Sequence, residues 1–237
     1  MEIFIGEAIG TFVFVFFTLA IISNVISLDK GNVMSVFAIS IGTGIAYLVP
    51  CILFSDLTGA HFNIAVTASV FLLGILDIKL IGYYISAQVL GSIVASFLYA
   101  VCFRSNLKKC RDEDLKVKLY AVVPTSKNNI LNFIKETAVS YIFMFMILLI
   151  TFVVKDLSKG EVYILMFLVI ALLGMAFNYT VVAFNPLRDI FTRLLFAPRD
   201  IKSQISKVYV VVTILAPILG TVLATLTYKI IPWDKIM

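Results

Sequence analysis

Charged residues along the chain are separated by long apolar stretches, and these stretches predict the architecture. A transmembrane helix needs about 20 consecutive apolar residues. Six windows have about this length and carry no charge apart from Glu7 in the first. They cover residues 3–28, 31–55, 80–103, 137–154, 162–187 and 208–228. Because none alternates polar with apolar positions as barrel strands do, the pattern predicts six transmembrane helices and an all-α membrane protein.

Two further apolar segments are too short to span a bilayer, and each follows an asparagine. The first begins after Asn63 and runs from Ile64 to Leu76. The second begins after Asn185 and ends near Phe196. These lengths are typical of re-entrant half-helices and equally of helices that lie in the membrane interface.

The two halves of the sequence resemble each other. The matching positions are Glu7 with Glu136, Asn63 with Asn185, and residues 91–96 with 220–225, at offsets of 129, 122 and 129. Their common order implies a duplicated unit of three spans and one half-helix. Since three is odd, the second copy must be inverted in the membrane. Chance matching of small residues, which are common in such helices, is the alternative.

These matches lead us to expect one domain over 1–237 that contains two inverted repeats. The repeats cover approximately 1–103 and 130–237, and a loop over 104–129 joins them. This loop holds the densest charge cluster, from Arg104 to Lys118, and must lie outside the hydrocarbon.

The composition supports a membrane protein and excludes several other classes. The chain is 61% hydrophobic and 14% charged, whereas soluble domains average about 25% charged residues. We expect no enzyme activity and no nucleic-acid partner, since basic residues outside the lipid account for the net charge of +5. Three cysteines and one histidine provide no metal cluster, so no cofactor is expected.

The two asparagines suggest a chemistry if both half-helices enter the membrane and meet. Asn63 and Asn185 would then cap helix N-termini, each with roughly half a positive charge, and so repel cations and protons. Their amides could still donate hydrogen bonds to a neutral solute. Non-helical backbone at this depth must be buried or line a wet cavity. The carbonyls that would form a track for the solute are those of Gly59, Ala60, His61, Val181, Val182 and Ala183.

Arg188 lies one turn beyond Asn185, where an arginine at membrane depth is a functional candidate. It would add a positive charge and fixed donors to the pore. The alternatives are an arginine that extends to the interface or pairs with Asp189.

With these features, the sequence resembles the major intrinsic protein family of aquaporins and glycerol facilitators. The run Thr58–Thr67 is similar to the first Asn-Pro-Ala box of that family, and Asn185–Asp189 is similar to the second. Glu7, Gln88, Glu136 and Ala216–Gly220 also match family positions. The resemblance implies six tilted helices, two half-helices, and a homotetramer with one pore per subunit.

The sequence departs from the family boxes at two positions. Ile64 stands where the first box has proline, so a preorganised first helical residue is lost. Leu187 stands where the second box has alanine and adds bulk near the contact of the half-helices. Both changes bear on the width of the pore.

The family also has a narrower filter on its outer side. The resemblance assigns the four filter positions to Arg188, Val182, Ile41 or Thr43, and Leu173 or Gly174. The fifth-helix histidine of water-selective members is absent, while Asp189 and Arg193 are features of glycerol facilitators. No aromatic ring is expected at the four positions. We therefore expect a wide aliphatic filter that passes water and small neutral solutes such as glycerol or urea.

The remaining polar groups have structural interpretations. Glu7 and Glu136 are expected to accept hydrogen bonds from the amides of the re-entrant loops, and His61 to bond loop backbone. Family orientation implies a multi-pass protein of the plasma membrane with cytoplasmic termini, although most of the 19 basic residues then lie outside. The alternatives to a passive channel are a coupled transporter and a non-conducting structural or adhesion protein.

Overall fold

The computed structural model describes residues 1–29, 33–110, 112–188, 190–204 and 206–233. Asp189 therefore lies outside the described residues. The helices are α1 (Glu2–Asp29), α2 (Val33–Thr58), α3 (Ile64–Leu72), α4 (Ile78–Cys102), α5 (Arg104–Lys109), α6 (Glu113–Lys118), α7 (Asn129–Leu148), α8 (Lys159–Phe177), α9 (Arg199–Gln204) and α10 (Lys207–Ile230). A π-helical turn, Leu149–Val153, continues α7, and another covers Thr192–Phe196.

Six helices are long and apolar enough to cross a membrane, which confirms the six predicted spans. They are Glu2–Ser27, Val33–Thr58, Ile78–Cys102, Asn129–Val153, Lys159–Phe177 and Lys207–Ile230. The fifth ends earlier than the uncharged window 162–187 suggested. Asn178 follows α8 with a φ of 62°, so the chain leaves the helix there and the rest of the window forms an uncharged buried loop.

The first short segment forms the regular helix α3. It has nine residues rather than the thirteen of the apolar stretch, and Gly74 turns the chain soon after its end with a φ of +79°. The ammonium group of Lys229, near the end of α10, donates to the carbonyl of Leu72 at 3.1 Å. A cation there stabilises the partial negative charge at the C-terminus of α3.

The second short segment is less regular than predicted. Residues 186–188 form a turn, and Thr192–Phe196 form a π-helical turn instead of a continuation of an α-helix. Two contacts tie the segment to its surroundings. The Thr192 hydroxyl lies 3.0 Å from that of Ser96 on α4, and the guanidinium of Arg193 donates to the carbonyl of Val122 at 3.2 Å.

Two glycines allow the long helices to pack closely in equivalent places. A Cβ on Gly91 of α4 would overlap the carbonyl oxygen of Ala8 on α1. A Cβ on Gly220 of α10 would likewise overlap the carbonyl oxygen of Thr137 on α7. Both pairs are separated by the offset of 129 found in the sequence. The helix pairs α1–α4 and α7–α10 therefore meet in the same manner in the two halves.

The connection 104–129 is not simply an exposed loop. It contains α5 and α6, and residues 119–122 after them are buried. The amide of Val123 donates to the carbonyl of Thr180 at 3.1 Å. The connection thus packs against the chain that leads to the second short segment.

We predict that Gly91→Val lowers the thermal stability of the purified protein. The added side chain meets the α1 backbone, and overpacking of this kind costs typically about 1–3 kcal/mol. The measurement is the fraction of monodisperse protein that survives heating, read by size-exclusion chromatography. Gly82→Val, on the same helix, is the matched control because a Cβ there has no atom within 4 Å. Equal losses in both variants would show that close helix approach is not the cause.

Candidate functional site

Asn63 is the N-cap of α3, and its side chain contacts the other half of the molecule. Its backbone is extended (φ −155°, ψ 124°), and its Oδ1 accepts from the amide of Ala65 at 2.9 Å, as expected of an N-cap. Its Nδ2 donates to the carbonyl of Phe184 at 3.2 Å. The cap therefore forms although Ile64 replaces the proline of the family box.

Asn185 makes the reciprocal contacts. Its Oδ1 accepts from the amide of Leu187 at 2.9 Å, and its Nδ2 donates to the carbonyl of Phe62 at 2.9 Å. The two boxes are thus joined by a pair of crossed hydrogen bonds between buried groups. A primary amide has two N–H donors, so each asparagine retains one after this contact.

The residue before each asparagine has an unusual backbone. Phe62 and Phe184 have φ values of 48° and 56°, in the left-handed region that bulky residues rarely adopt. Each carbonyl accepts the hydrogen bond from the opposite asparagine. This conformation costs of order 1–3 kcal/mol and persists only where surrounding contacts enforce it.

Two buried carboxylates hold these loops. Glu7 on α1 accepts from the amides of His61 and Phe62 at 3.0 and 2.8 Å, and from Nε2 of Gln88 at 2.8 Å. Its side chain is completely buried. A carboxylate can accept several bonds at once, so it satisfies two loop amides that have no water available.

Glu136 on α7 holds the second loop in the same way. It accepts from the amide of Ala183 at 3.0 Å and from the hydroxyl of Tyr209 at 3.0 Å. Tyr209 was not among the residues that the sequence singled out. It lies on α10, which therefore braces the loop through the carboxylate.

Hydroxyl groups on the third long helix of each half bind the box of the other half. Ser92 on α4 donates to the carbonyl of Leu187 at 2.5 Å. Thr221 on α10 donates to the carbonyl of Ala65 at 2.9 Å. The two donors are 129 positions apart, so the sequence match at 91–96 and 220–225 contains this contact, although its role was not predicted.

His61 binds a side chain rather than loop backbone. Its Nδ1 lies 3.2 Å from the hydroxyl of Thr67, and its ring stacks on Tyr84 with centroids 4.5 Å apart. The Thr67 hydroxyl donates to the carbonyl of Asn63 and accepts from Gln88. Its one proton is then used, so we assign the Nδ1–H tautomer to His61, with Nε2 as an acceptor.

A cavity of about 310 Å³ adjoins the first loop. Gly59, Ala60 and His61 line it together with mainly apolar side chains. The hydroxyls of Ser55 and Tyr163 form a hydrogen bond in its wall, 2.5 Å long. A solute in this cavity would meet mainly apolar side chains, with polar groups from the loop and from Tyr47 and Thr151.

The expected carbonyl track divides into two sets. The carbonyls of Ala60 and Ala183 accept from the Tyr47 hydroxyl and the backbone amide of Asn185, and that of Val181 shares the Tyr209 proton with Glu136. Those of Gly59, His61 and Val182 accept no hydrogen bond from the residues described here. The second set therefore has full capacity to accept from a solute.

The alternative filter positions differ in burial and in packing. Thr43 is completely buried, and its hydroxyl has no partner in the described part of the chain, whereas Ile41 is half-buried. A Cβ on Gly174 would overlap the ring of Tyr179 and lie 2.7 Å from Oγ of Ser40 on α2. Gly174 therefore lies beside Tyr179 where α8 packs against α2.

Tyr179 is an aromatic residue that the sequence analysis missed. The guanidinium carbon of Arg188 lies 5.9 Å from the centre of its ring, within the range of a cation–π contact. Arg188, Val182 and Tyr179 are all buried. The signal was a tyrosine nine positions before Arg188, but only the four family filter positions were searched. No group of three or more His, Cys, Asp or Glu side chains in the described ranges could hold a metal ion.

Six helices able to span a membrane and two short segments, each of whose asparagines donates to the carbonyl before the other, define a membrane channel fold. Residues 1–228 match the sequence model of the family described as "Major intrinsic protein", and the chain belongs to this family. It is a multi-pass membrane protein and not an enzyme.

Two relatives and one solved structure illustrate the similarity. An uncharacterized aquaporin-like protein of Haemophilus influenzae is 29% identical over 189 residues, covering 78% of this chain and 88% of the relative. A probable glycerol uptake facilitator protein of Thermotoga maritima is 26% identical over 233 residues, covering 97% and 99%. The X-ray structure of the aquaglyceroporin from Plasmodium falciparum shares the fold, with a TM-score of 0.84 at 23% identity over 100% and 99% of the chains.

We predict that Glu7→Gln lowers the unfolding temperature of the purified protein. The variant offers one oxygen to three donors and turns an N–H group toward them. A buried donor left without an acceptor costs about 1–3 kcal/mol. Glu2→Gln, at an exposed position of the same helix, is the matched control and should change little. Equal unfolding temperatures for the two variants would contradict the loop-holding role of Glu7.

Proposed function

We propose that the protein is a passive channel for water and small neutral solutes, glycerol foremost and urea by the same chemistry, that excludes ions and protons. One observation carries the proposal: the crossed amides of Asn63 and Asn185, each with one N–H left to donate. A neutral solute oxygen can accept from them, whereas a cation cannot. The N-terminus of α3 adds a partial positive charge at the same place.

The residues near the asparagines supply the rest of the path. On one side are the cavity beside His61 and the free carbonyls of Gly59 and His61. On the other side are the free carbonyl of Val182 and the buried Arg188. We propose that Thr43 and Gly174 complete the filter around Arg188. Acceptors and donors then alternate along a path that suits hydroxylic solutes.

The two alternatives have less support. A coupled transporter needs a titratable group at mid-membrane that is available for an ion. Both candidate carboxylates, Glu7 and Glu136, instead accept bonds from loop amides. A closed structural protein was suggested by Ile64 and Leu187, yet the caps at Asn63 and Asn185 form with both residues in place.

The names of the relatives favour glycerol among the small solutes. Relatives described as glycerol uptake facilitators from Thermotoga maritima and Bacillus subtilis align with 97% and 93% of this chain. We extend that activity to this chain as part of the proposal. Glycerol and water would both pass along the single path described above.

We further propose that 1–237 forms one channel domain with repeats over about 1–103 and 130–237, joined by 104–129. The equivalent contacts of Gly91 and Gly220, and of Ser92 and Thr221, support this division. The family also leads us to propose a homotetramer in the plasma membrane. Native mass spectrometry of the protein released from micelles would give the tetramer mass, and a monomer alone would contradict it.

Stopped-flow measurements on proteoliposomes test the channel. We expect fast water flux with a low activation energy, glycerol flux above that of protein-free liposomes, and no proton flux. Arg188→Val should raise proton or cation leak because a buried positive charge is lost. Arg199→Val, at an exposed position, should leave the leak unchanged. Glycerol flux equal to that of empty liposomes would show that glycerol is not a solute of this protein. Saturable, ion-dependent flux would show that the protein is a coupled transporter and not a channel.

Labelling of Cys110 tests the proposed orientation, with cytoplasmic termini and the 104–129 connection outside. Cys102 is also exposed, so the assay uses the Cys102→Ser protein. A membrane-impermeant maleimide should label this protein in intact cells, and the further change Cys110→Ser should abolish that signal. Burial raises the pKa of the Cys110 thiol. The reactive thiolate is therefore scarcer at neutral pH, and labelling should accelerate in mildly alkaline buffer. Labelling that requires permeabilised cells would reverse the orientation.

A further inference from the structure

The ring of Tyr179 occupies a space that a side chain on α8 would otherwise fill. Its atoms lie where a Cβ on Gly174 would stand. Its hydroxyl donates to the carbonyl of Ile170, one turn further back on α8, at 2.9 Å. The ring is therefore folded back against α8, the helix that precedes it, and fits there only because Gly174 has no side chain.

The turn after α8 sets this position. Asn178, with its φ of 62°, ends the helix, and its amide donates to the carbonyl of Gly174 at 2.8 Å. Its Oδ1 accepts from both the amide and the hydroxyl of Thr180, at 3.0 and 2.9 Å. These bonds fix the residues on either side of Tyr179. The ring also packs against Phe184, with centroids 4.9 Å apart.

The same ring faces the arginine of the filter. The guanidinium carbon of Arg188 lies 5.9 Å from the ring centre, and both side chains are buried. In a buried setting a cation–π contact is worth more than at the surface, because neither partner is solvated. Tyr179 thus contacts the backbone of α8 at Gly174 and the guanidinium of Arg188, near where α8 packs against α2.

We propose that Tyr179 is a specificity-determining positioning residue: its ring narrows the filter beside Gly174 and holds the guanidinium of Arg188 in place. The inference rests on the proposed channel function and deepens it. It implies that the filter is not simply wide and aliphatic, as its four family positions suggest. Linear polyols longer than glycerol are the class of solute that the ring excludes.

Parallel flux measurements of water, glycerol, erythritol and xylitol in proteoliposomes test this role. Tyr179→Leu removes the ring from the space beside Gly174 and should raise the erythritol-to-water permeability ratio. Tyr179→Phe retains the ring and loses only the bond to Ile170, so it should restore a ratio near that of the unaltered protein. Tyr83→Leu, at an exposed position on α4, controls for loss of a tyrosine.

A second variant, with the opposite expected effect on solute flux, tests the proposal even if Tyr179→Leu does not fold. Gly174→Ala places a Cβ against the ring and 2.7 Å from Oγ of Ser40, so the ring must shift from its present place, and we expect the displaced ring to narrow the filter further. It should reduce glycerol flux more than water flux. Combining Tyr179→Leu with Arg188→Val tests whether the tyrosine acts through the arginine. The added proton leak should then be less than the sum of the two single effects.

The outcomes separate this inference from the proposed function. If the unaltered protein conducts neither water nor glycerol, the channel proposal is wrong and the inference falls with it. If it conducts, an unchanged polyol ratio in folded Tyr179→Leu overturns the inference alone. An equal change in Tyr83→Leu, or additive leaks in the double variant, would also overturn it. Should Tyr179→Leu not fold, an unchanged glycerol-to-water ratio in Gly174→Ala overturns it.

Discussion

Backbone that leaves a helix inside a bilayer must find hydrogen-bond partners within the protein, and this constraint determines the centre of the structure. Unsatisfied amides in hydrocarbon cost several kcal/mol each. Glu7 and Glu136 meet this need, because each carboxylate accepts from loop amides next to an asparagine box. With these amides held, the strained Phe62 and Phe184 can present their carbonyls to the opposite asparagine. The side-chain N–H groups that Asn63 and Asn185 can donate to a solute depend on this series of contacts.

The two halves stabilise each other rather than standing as separate units. Ser92 binds the carbonyl of Leu187 and Thr221 binds that of Ala65, so each half holds the box of the other. Close packing at Gly91 and Gly220 brings the helices that carry these hydroxyls near the boxes. Equivalent residues therefore make equivalent contacts in the two halves.

The sequence predicted the spans because charge is excluded from hydrocarbon, and it identified both asparagines because each precedes a short apolar segment and they recur in the same order in the two halves. It misjudged where α8 ends, since the loop after Phe177 is as uncharged as the helix. It could not foresee that the second short segment contains a π-helical turn. Tyr179 was missed for a different reason: its position beside Gly174 and Arg188 follows from the positive φ of Asn178 and from the space that Gly174 leaves, and neither is a local pattern.

The attachment of α3 has a consequence for how the protein is made. Its carbonyl at Ala65 is bound by Thr221, 156 positions later in the chain, and its last carbonyl by Lys229, which is 157 positions later. A ribosome therefore delivers this short helix to the membrane long before its partners exist. Contacts of such sequence separation form late. The contacts that hold α3 are consequently completed only after the final helix has been synthesised and inserted.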